Sequence, residues 1–288
     1  MEGMIKYLGL ILMIGLFSIA LAYNLAELFS ETTTTADVSL IPIQAEISMF
    51  DSQSTVSSDW IVEKIQEAEK DSSVSAIVLS INSPGGAAVS CMEIISELKK
   101  AEKPKIAWIR EIAGSCAYMI ASECDYILAH DFSYVGGLGV ISSYLEFPKI
   151  MDKYGVGYVR FVSGDLKDMG TPYRNLTQEE KQIWQEMIDE MKLSVFDLVT
   201  ANRNISESAN TDIRRGRLYL GAKSKEIGLV DELGSREQLE NYLKNILNAT
   251  KIKFNKVEQE KSILDLLNLE SEISGLLLEK ENKLPSLT

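Results

Sequence analysis

Hydrophobic and polar residues alternate with two different periods along most of the chain. Residues 39–48 form a short, mostly apolar run, and residues 75–81 (SAIVLSI) are almost entirely apolar. A run of this kind is typical of a strand that is buried on both faces of a sheet. Residues 60–70 instead carry apolar side chains at the spacing of an amphipathic helix. The pattern predicts a strand, a helix and a second strand at the start of the folded part.

The alternation continues to residue 162. It predicts, in chain order, a helix over 88–101, a strand over 105–109, a helix beginning near 115, strands over 125–129 and 138–141, a helix over 148–154 and a strand over 157–162. Strands joined by helices form right-handed βαβ units and a largely parallel sheet, so the predicted fold class is α/β. Such folds place their active sites at the carboxyl ends of the strands.

The chain becomes helical after residue 177. Thr177-Gln-Glu-Glu180 is a capping box, and it begins a long amphipathic helix with Ile183, Met187 and Met191 on one stripe. We interpret the stripe as core or as a subunit interface. Residues 262–279 predict another amphipathic helix, which packs either on its own domain or on a neighbouring subunit.

The N-terminus contains an uncharged segment, residues 7–23, which is about long enough to cross a membrane. A cleaved signal peptide is the alternative, because Ala20-Leu21-Ala22 has the small-x-small form of a cleavage site. We favour the anchor. Lys6 and the amino terminus precede the segment, so the positive-inside rule places the N-terminus in the cytoplasm and the folded domain outside the cell membrane.

Composition changes divide the chain further. Residues 30–37 (SETTTTAD) are polar and have no hydrophobic period, as expected of a tether. The predicted organisation is an anchor or signal peptide over 1–24, a polar tether over 25–38, one folded domain over 39–250 and a helical C-terminal extension over 251–288.

Charge and residue counts exclude several functions. The net charge of −13 argues against nucleic acid as a partner, because phosphate binding needs clustered Lys and Arg. The single histidine, His130, argues against a multi-histidine zinc site, and we predict no metal and no cofactor. Cys91, Cys116 and Cys124 are an odd number without a CxxC pair, so we expect free thiols.

Ser115 is the first candidate for chemistry. It lies in IAGSCAYMIAS (112–122), where small residues flank it at a predicted strand-to-helix junction. A helix N-terminus offers free backbone N–H groups that could stabilise an oxyanion, and small neighbours would let a peptide carbonyl approach the hydroxyl. An ordinary N-cap serine is the competing interpretation.

The Gly85-Gly86 pair is the second candidate, because glycine permits close backbone approach. An N–H of this pair, with that of Cys116, could complete an oxyanion hole; a plain turn after a strand is the alternative. A serine nucleophile also needs a base. The sequence leaves two candidate bases, His130 at a strand end and Lys167 in the turn-rich segment 163–172. A solvated loop lysine is the competing interpretation of Lys167.

Five motifs in this order resemble one known family. They are NSPGG (82–86), the small-residue-flanked Ser115, GGLGVI (136–141), SGDLKD (163–168) and GLVDELG (228–234). The combination, from about residue 39 to 245, is similar to the membrane-associated signal peptide peptidases of the SppA type. These are serine-lysine proteases with the ClpP/crotonase-like fold of repeated βαβ units.

The resemblance implies a role for each matched residue. Ser115 would be the nucleophile, Lys167 the general base, and the N–H of Gly85 or Gly86 with that of Cys116 the oxyanion hole. Two positions depart from the family. Cys116-Ala117 replaces two glycines, and Gly137 stands where the family commonly has a serine that orients the lysine. Ser133 or a water could take over that orienting role.

The resemblance also implies partners. Its members cleave signal peptides and other short hydrophobic or unfolded segments at the membrane, and they assemble into rings in which the site can be shared between subunits. A related peptidase that cuts one specific membrane-protein tail is a second enzyme hypothesis. A catalytically weak or silent peptide-binding scaffold on the same fold is an alternative from a different class, and Gly137 is the feature that favours it.

Overall fold

A computed structural model describes residues 34–52 and 54–258, together with positions 13, 15, 18 and 19. Apart from those four positions, the predicted membrane segment over 7–23 lies outside the described residues, and so does the predicted helix over 262–279. No helix within the described part of the chain is long and apolar enough to span a membrane.

The described residues form ten strands and eight helices. The strands are β1 (Thr35–Gln44), β2 (Glu46–Ser48), β3 (Thr55–Ser57), β4 (Val74–Ser83), β5 (Lys105–Gly114), β6 (Tyr126–Ala129), β7 (Tyr134–Gly136), β8 (Leu218–Leu220), β9 (Glu232–Leu233) and β10 (Lys251–Lys256). The helices are α1 (Ser58–Lys70), α2 (Ala88–Lys100), α3 (Cys116–Ser122), α4 (Pro148–Lys153), α5 (Gln178–Asn202), α6 (Glu207–Ile213), α7 (Gly221–Glu226) and α8 (Arg236–Ile246).

Six strands form a continuous parallel sheet in the order β10-β1-β4-β5-β6-β9. The long strand β5 pairs with β6 through its first half and with β7 through its last residues, also in parallel. β8 pairs with β7 in antiparallel orientation. The predicted α/β class with a largely parallel sheet is confirmed.

The central strand β4 shows why this sheet is covered on both faces. Ile77, Leu79 and Ile81 belong to a large apolar cluster with buried residues of α1, α2, α3 and α5. Ala76 and Val78, which point to the opposite face because side chains alternate along a strand, belong to a second cluster with Leu239 and Leu243 of α8. The unbroken apolar run therefore supplies both layers, as predicted.

Two predicted strands are wrong. Residues 138–141 and 157–162 are not in a strand, although both are rich in β-branched residues. Leu138 is buried, but the other large apolar side chains of the two segments are mostly exposed: Ile141 is 88% and Phe161 94% accessible. A strand requires a hydrogen-bonded neighbour, and neither segment pairs with another strand of the described chain. The short strand β7, just before the first segment, takes the place beside β5 instead.

The ends of the predicted domain also need correction. β1 begins at Thr35, so the last residues of the predicted tether are already in the sheet. β10 covers Lys251–Lys256, the start of the predicted helical extension, and it pairs with β1 from Thr35 opposite Lys251 to Leu40 opposite Lys256. The first and last strands of the described chain are therefore neighbours at one edge of the sheet.

The long helix predicted after residue 177 is confirmed as α5, with the capping box formed by Thr177 and Glu180. Its apolar stripe is not core, because Met187 and Met191 are 39% and 41% exposed. The helix buries Phe196 and Val199, nearer its C-terminus, in the large apolar cluster that also contains the residues of α3. The interface interpretation of the stripe stays a prediction.

Candidate active site

Ser115 lies at the turn between β5 and α3. Its backbone has φ +49° and ψ −119°, a conformation that residues other than glycine rarely adopt. Such a residue costs about 1 to 3 kcal/mol and persists only where the surrounding structure fixes it. The side chain is partly exposed, whereas every residue of α3 is buried. Its hydroxyl accepts and donates no hydrogen bond within the described chain, so this is not the ordinary N-cap serine.

The small residues around Ser115 are explained by the close approach of two other backbone segments. A Cβ on Gly114 would lie 2.8 Å from the carbonyl oxygen of Pro84. A Cβ on Gly86 would lie 1.9 Å from the carbonyl oxygen of Ile47. The carboxyl end of β4, the segment after β1 and the Ser115 turn therefore meet at main-chain contact distance. A Cβ on Gly85 would lie 3.0 Å from the Ser115 Cβ, so the glycine pair lies beside Ser115.

Hydrogen bonding distinguishes the two glycine amides. The Gly85 amide donates to the Ser83 hydroxyl at 3.2 Å and is occupied. Within the described residues, the amides of Gly86 and Cys116 donate to no other atom. These two N–H groups are the ones available to an oxyanion at Ser115, because unpaired amides beside a reactive oxygen are what such a hole requires.

Lys167 lies in a turn that belongs to neither a helix nor a strand. Its amide donates to the Gly164 carbonyl at 3.0 Å, and its side chain is exposed. No hydrogen bond or ion pair joins the Lys167 ammonium to Ser115 or to any other described residue. The structure thus brings together Ser115, the glycine pair and Cys116, and no hydrogen bond or ion pair joins the lysine side chain to them.

His130 occupies a different place. It follows β6, and its Nδ1 atom accepts the amide of Phe132 at 3.3 Å, while its ring stacks on the Phe132 ring. The His130 amide donates to the Ser133 hydroxyl at 3.0 Å. The residue therefore closes the turn after its strand, as its position at a strand end suggested, and no hydrogen bond joins it to Ser115.

The turn after β7 shows what Gly137 does. Gly137 has φ +62°, and its amide donates to the Arg217 carbonyl at 3.0 Å. A Cβ there would meet the Leu218 side chain at 3.1 Å and the Ser115 amide nitrogen at 3.7 Å. A serine at this position would therefore adjoin the nucleophile. Ser133 does not replace it, because its buried hydroxyl donates to the Arg110 carbonyl.

All three cysteines are free, as predicted, and all three are buried. Cys91 donates its thiol to the Cys116 carbonyl at 3.4 Å. The neighbouring Cys91 thiol, and then burial, raise the pKa of Cys116 far above its ordinary value. Cys116 therefore presents a neutral thiol to the core and only its amide to the site. No cluster of His, Cys, Asp or Glu within the described residues could bind a metal ion.

Sequence reasoning missed one functional candidate, Arg174. It forms ion pairs with Asp168 and with Glu180, at 2.8 Å and 2.5 Å. A lone arginine between a tyrosine and an asparagine carries no local signal. Asp168, directly after Lys167, and Glu180, in the capping box, were the only hints in the sequence that this arginine would have partners.

The chain is similar in sequence to known proteases. The sequence profile of peptidase family S49 matches residues 97–250, more than half of the chain. A putative protease of Methanocaldococcus jannaschii is 32% identical over 194 residues, which are 66% of this chain and 62% of that protein. A putative signal peptide peptidase SppA of Enterococcus faecium is 33% identical over 197 residues, which are 66% of this chain and 57% of that protein. The match thus spans about three fifths of these curated relatives.

Solved structures show the same fold. A lysine-to-alanine mutant of the 1510-N membrane-bound stomatin-specific protease, in complex with a substrate peptide, has a TM-score of 0.50 at 16% identity and covers 83% of this chain and 99% of that one. A serine-to-alanine mutant of that protease has a TM-score of 0.51 at 15% identity. From the sequence match and the shared fold together, the chain belongs to peptidase family S49.

Proposed function

We propose that the protein is a membrane-anchored serine endopeptidase in which Ser115 is the nucleophile and Lys167 the general base, on a ClpP/crotonase-like fold. One observation carries the proposal: Ser115 is held in a left-handed conformation, with an unpaired hydroxyl, beside the unpaired amides of Gly86 and Cys116. Backbone strain of this kind is concentrated at functional sites, and a serine on a strained strand-to-helix turn is a recurrent arrangement for a nucleophile.

The reaction then proceeds through an acyl-enzyme. The neutral Lys167 amine takes the proton of the Ser115 hydroxyl as its oxygen attacks a peptide carbonyl. The amides of Gly86 and Cys116 stabilise the oxyanion of the tetrahedral intermediate. As the peptide C–N bond breaks, the Lys167 ammonium returns the proton to the leaving amine. Water, deprotonated by the same lysine, then hydrolyses the acyl-serine.

We further propose that Lys167 reaches Ser115 from a second copy of the chain in a ring. The residues before the lysine turn support this, because they expose large apolar side chains: Val159 is 77% and Phe161 94% accessible. Large apolar residues that are exposed next to one another are typical of a surface that a partner covers. The exposed stripe of α5 favours the same assembly.

The proposed substrates are signal peptides and other short hydrophobic or unfolded segments. The relative named as a signal peptide peptidase and the neighbouring structure with a bound substrate peptide support peptides as the substrate class. The uncharged segment over 7–23 would anchor the protein in the cell membrane with the domain on its outer side.

The test is cleavage of a fluorogenic hydrophobic peptide by residues 25–288, beside Ser115→Ala and Lys167→Ala. Both variants should be folded and should lose several orders of magnitude in rate. The parent's rate should also fall from about pH 9 to about pH 6, because a protonated amine accepts no proton. A rate that does not change over this range argues against a lysine base, and an active Lys167→Ala variant refutes it.

Mixing the two inactive variants tests the shared site. If Ser115 and Lys167 of different copies meet, assemblies reformed from both variants contain some intact pairs and recover part of the activity. The matched control mixes Ser115→Ala with the Ser115→Ala/Lys167→Ala double variant, which contains no intact pair. No recovery in the first mixture would mean that both residues act within one chain.

Gly137 favours one alternative, a peptide-binding scaffold that cuts weakly or not at all. No hydroxyl at position 137 orients the lysine, and the Ser133 hydroxyl is committed to Arg110. Acylation of Ser115 by a fluorophosphonate probe, located by mass spectrometry, distinguishes the two functions. An enzyme reacts at Ser115 and a scaffold does not.

A further inference from the structure

The turn that carries Lys167 has almost no main-chain support. Hydrogen bonds from Lys167 to Gly164, from Met169 to Leu166 and from Thr171 to Asp168 close it on itself. No helix or strand includes it. A lysine side chain has four rotatable bonds, and movement of the turn adds to that flexibility. Contacts outside the turn must therefore hold its backbone if the amine is to stay at one position.

Side chains supply that support through the residue next to Lys167. The Arg174 guanidinium donates from Nη2 to Asp168 Oδ1 at 2.8 Å and from Nε to Asp168 Oδ2 at 3.3 Å. Arg160 forms an ion pair with the same carboxylate at 3.1 Å. Both the Arg174 and Asp168 side chains are 16% exposed. A two-point contact from a planar group fixes the direction of the Asp168 side chain as well as its position.

The same guanidinium connects the turn to α5. Its Nη1 atom donates to Glu180 Oε2 at 2.8 Å. The Glu180 side chain is 1% exposed, and its carboxylate also accepts the Thr177 amide at 2.8 Å in the capping box. Asp168, Arg174 and Glu180 therefore form one chain of contacts from the first turn of a 25-residue helix to the neighbour of the lysine.

We propose that Arg174, with Asp168 and Glu180, is a positioning residue for Lys167. This inference rests on the proposed function, since it gives the network a role only if the lysine is the base. The physical reason is geometric: a reacting group displaced by about 1 Å can lose about 100-fold in rate. Through Asp168, Arg174 holds the backbone beside Lys167 to the long helix α5.

A network that merely holds the fold together would look the same in a static structure, so the test is a double-mutant cycle. Arg174→Lys keeps the positive charge and removes the planar guanidinium that bridges the carboxylates of Asp168 and Glu180. Asp168→Asn, which keeps the number of heavy atoms in the side chain, is the second variant in case the first does not fold. Each is made in the parent and in Lys167→Ala. The readouts are kcat and KM for the peptide and the rate of Ser115 acylation by a fluorophosphonate, per folded site.

In the parent, Arg174→Lys should lower kcat about 10- to 100-fold and change KM by less than about 3-fold. In Lys167→Ala, the same change should alter the residual acylation rate by less than about 2-fold, because there is no amine left to position. Arg236→Lys is the matched control: it makes the same exchange at an arginine with a carboxylate partner, Glu240, on α8 at the other face of the sheet, and should leave kcat unchanged.

Two results would overturn the inference in different ways. Equal fold losses in the parent and in Lys167→Ala would make the network structural and leave the lysine base intact. A Lys167→Ala variant as active as the parent would refute the base itself, and the positioning role with it.

Discussion

The amide nitrogen of Ser115 donates a 2.7 Å hydrogen bond to the carbonyl oxygen of Gly136. This contact joins the last residue before α3 to the end of β7, which lies beside the end of β5. It removes the Ser115 amide from the set of oxyanion donors and leaves that of Cys116. It also helps to fix the positive φ of the Ser115 backbone.

The strain at Ser115 should be measurable as stability. Ser115→Gly relieves the positive φ and should raise the free energy of unfolding by about 1 kcal/mol, while cleavage is lost with the hydroxyl. Ser115→Ala is the matched variant, because it also lacks the hydroxyl and keeps the strain. Denaturant unfolding compares the two, and a Gly variant no more stable than the Ala variant would contradict a strained turn.

Gly86 should not tolerate any side chain. In Gly86→Ala the new methyl would lie 1.9 Å from the Ile47 carbonyl oxygen, so the backbone must move. We expect a loss of about 2 kcal/mol or more in unfolding free energy, and a large fall in kcat because the Gly86 amide leaves its place.

Gly157→Ala provides the stability control, since a Cβ there has no atom within 4 Å. In thermal unfolding, the midpoint of Gly86→Ala should fall clearly below that of Gly157→Ala. A Gly86→Ala protein with parent stability would show that the contact with Ile47 is not as close as the structure has it.

The three thiols should be inert in the native protein. Cys91, Cys116 and Cys124 are 1%, 2% and 6% exposed, and burial raises the pKa of Cys124 while the Cys91 thiol and burial raise that of Cys116. A thiolate is the reactive form, so iodoacetamide at about pH 8 should label none of them until the protein unfolds. Mass spectrometry of native and denatured samples counts the labels, and rapid native labelling of Cys116 would be the contrary result.

Glu180 should make stability depend on pH in the acid range. Its hydrogen bonds with Arg174, followed by those at Thr177, lower the pKa of Glu180 to about 2 from an ordinary value of 4.5. Because the folded value is the lower one, the stabilisation is complete above about pH 4.5 and is lost as pH falls toward 2.

Glu180→Gln removes this titration and tests it. The difference in unfolding free energy between parent and variant should be constant above about pH 5.5 and shrink below about pH 4.5. Glu240→Gln, on an exposed pair with Arg236, should show a much smaller change over the same range. A parent-to-variant difference for Glu180 that does not vary with pH would contradict the lowered pKa.

The regular part of the fold could be predicted because its signals are local. The apolar run of β4, the helical spacing of α1 and the capping box of α5 depend on residues a few positions apart. The two wrong strands, over 138–141 and 157–162, show the limit of this reasoning. Their composition is suited to a sheet, but a strand exists only where another strand is available to pair, and that is not a local property.

Sequence alone determined an α/β chain with Ser115, Gly85-Gly86 and Lys167 at the ends of predicted elements, and a family resemblance assigned them roles. Tertiary structure decided the rest. It placed Gly86 rather than Gly85 with a free amide, gave Ser115 its left-handed turn, put β10 beside β1 and connected Asp168 to Glu180 through Arg174. Each of these depends on contacts between segments distant in the chain. Local periodicity records which face of an element is apolar, and it carries no information about which distant atoms meet there.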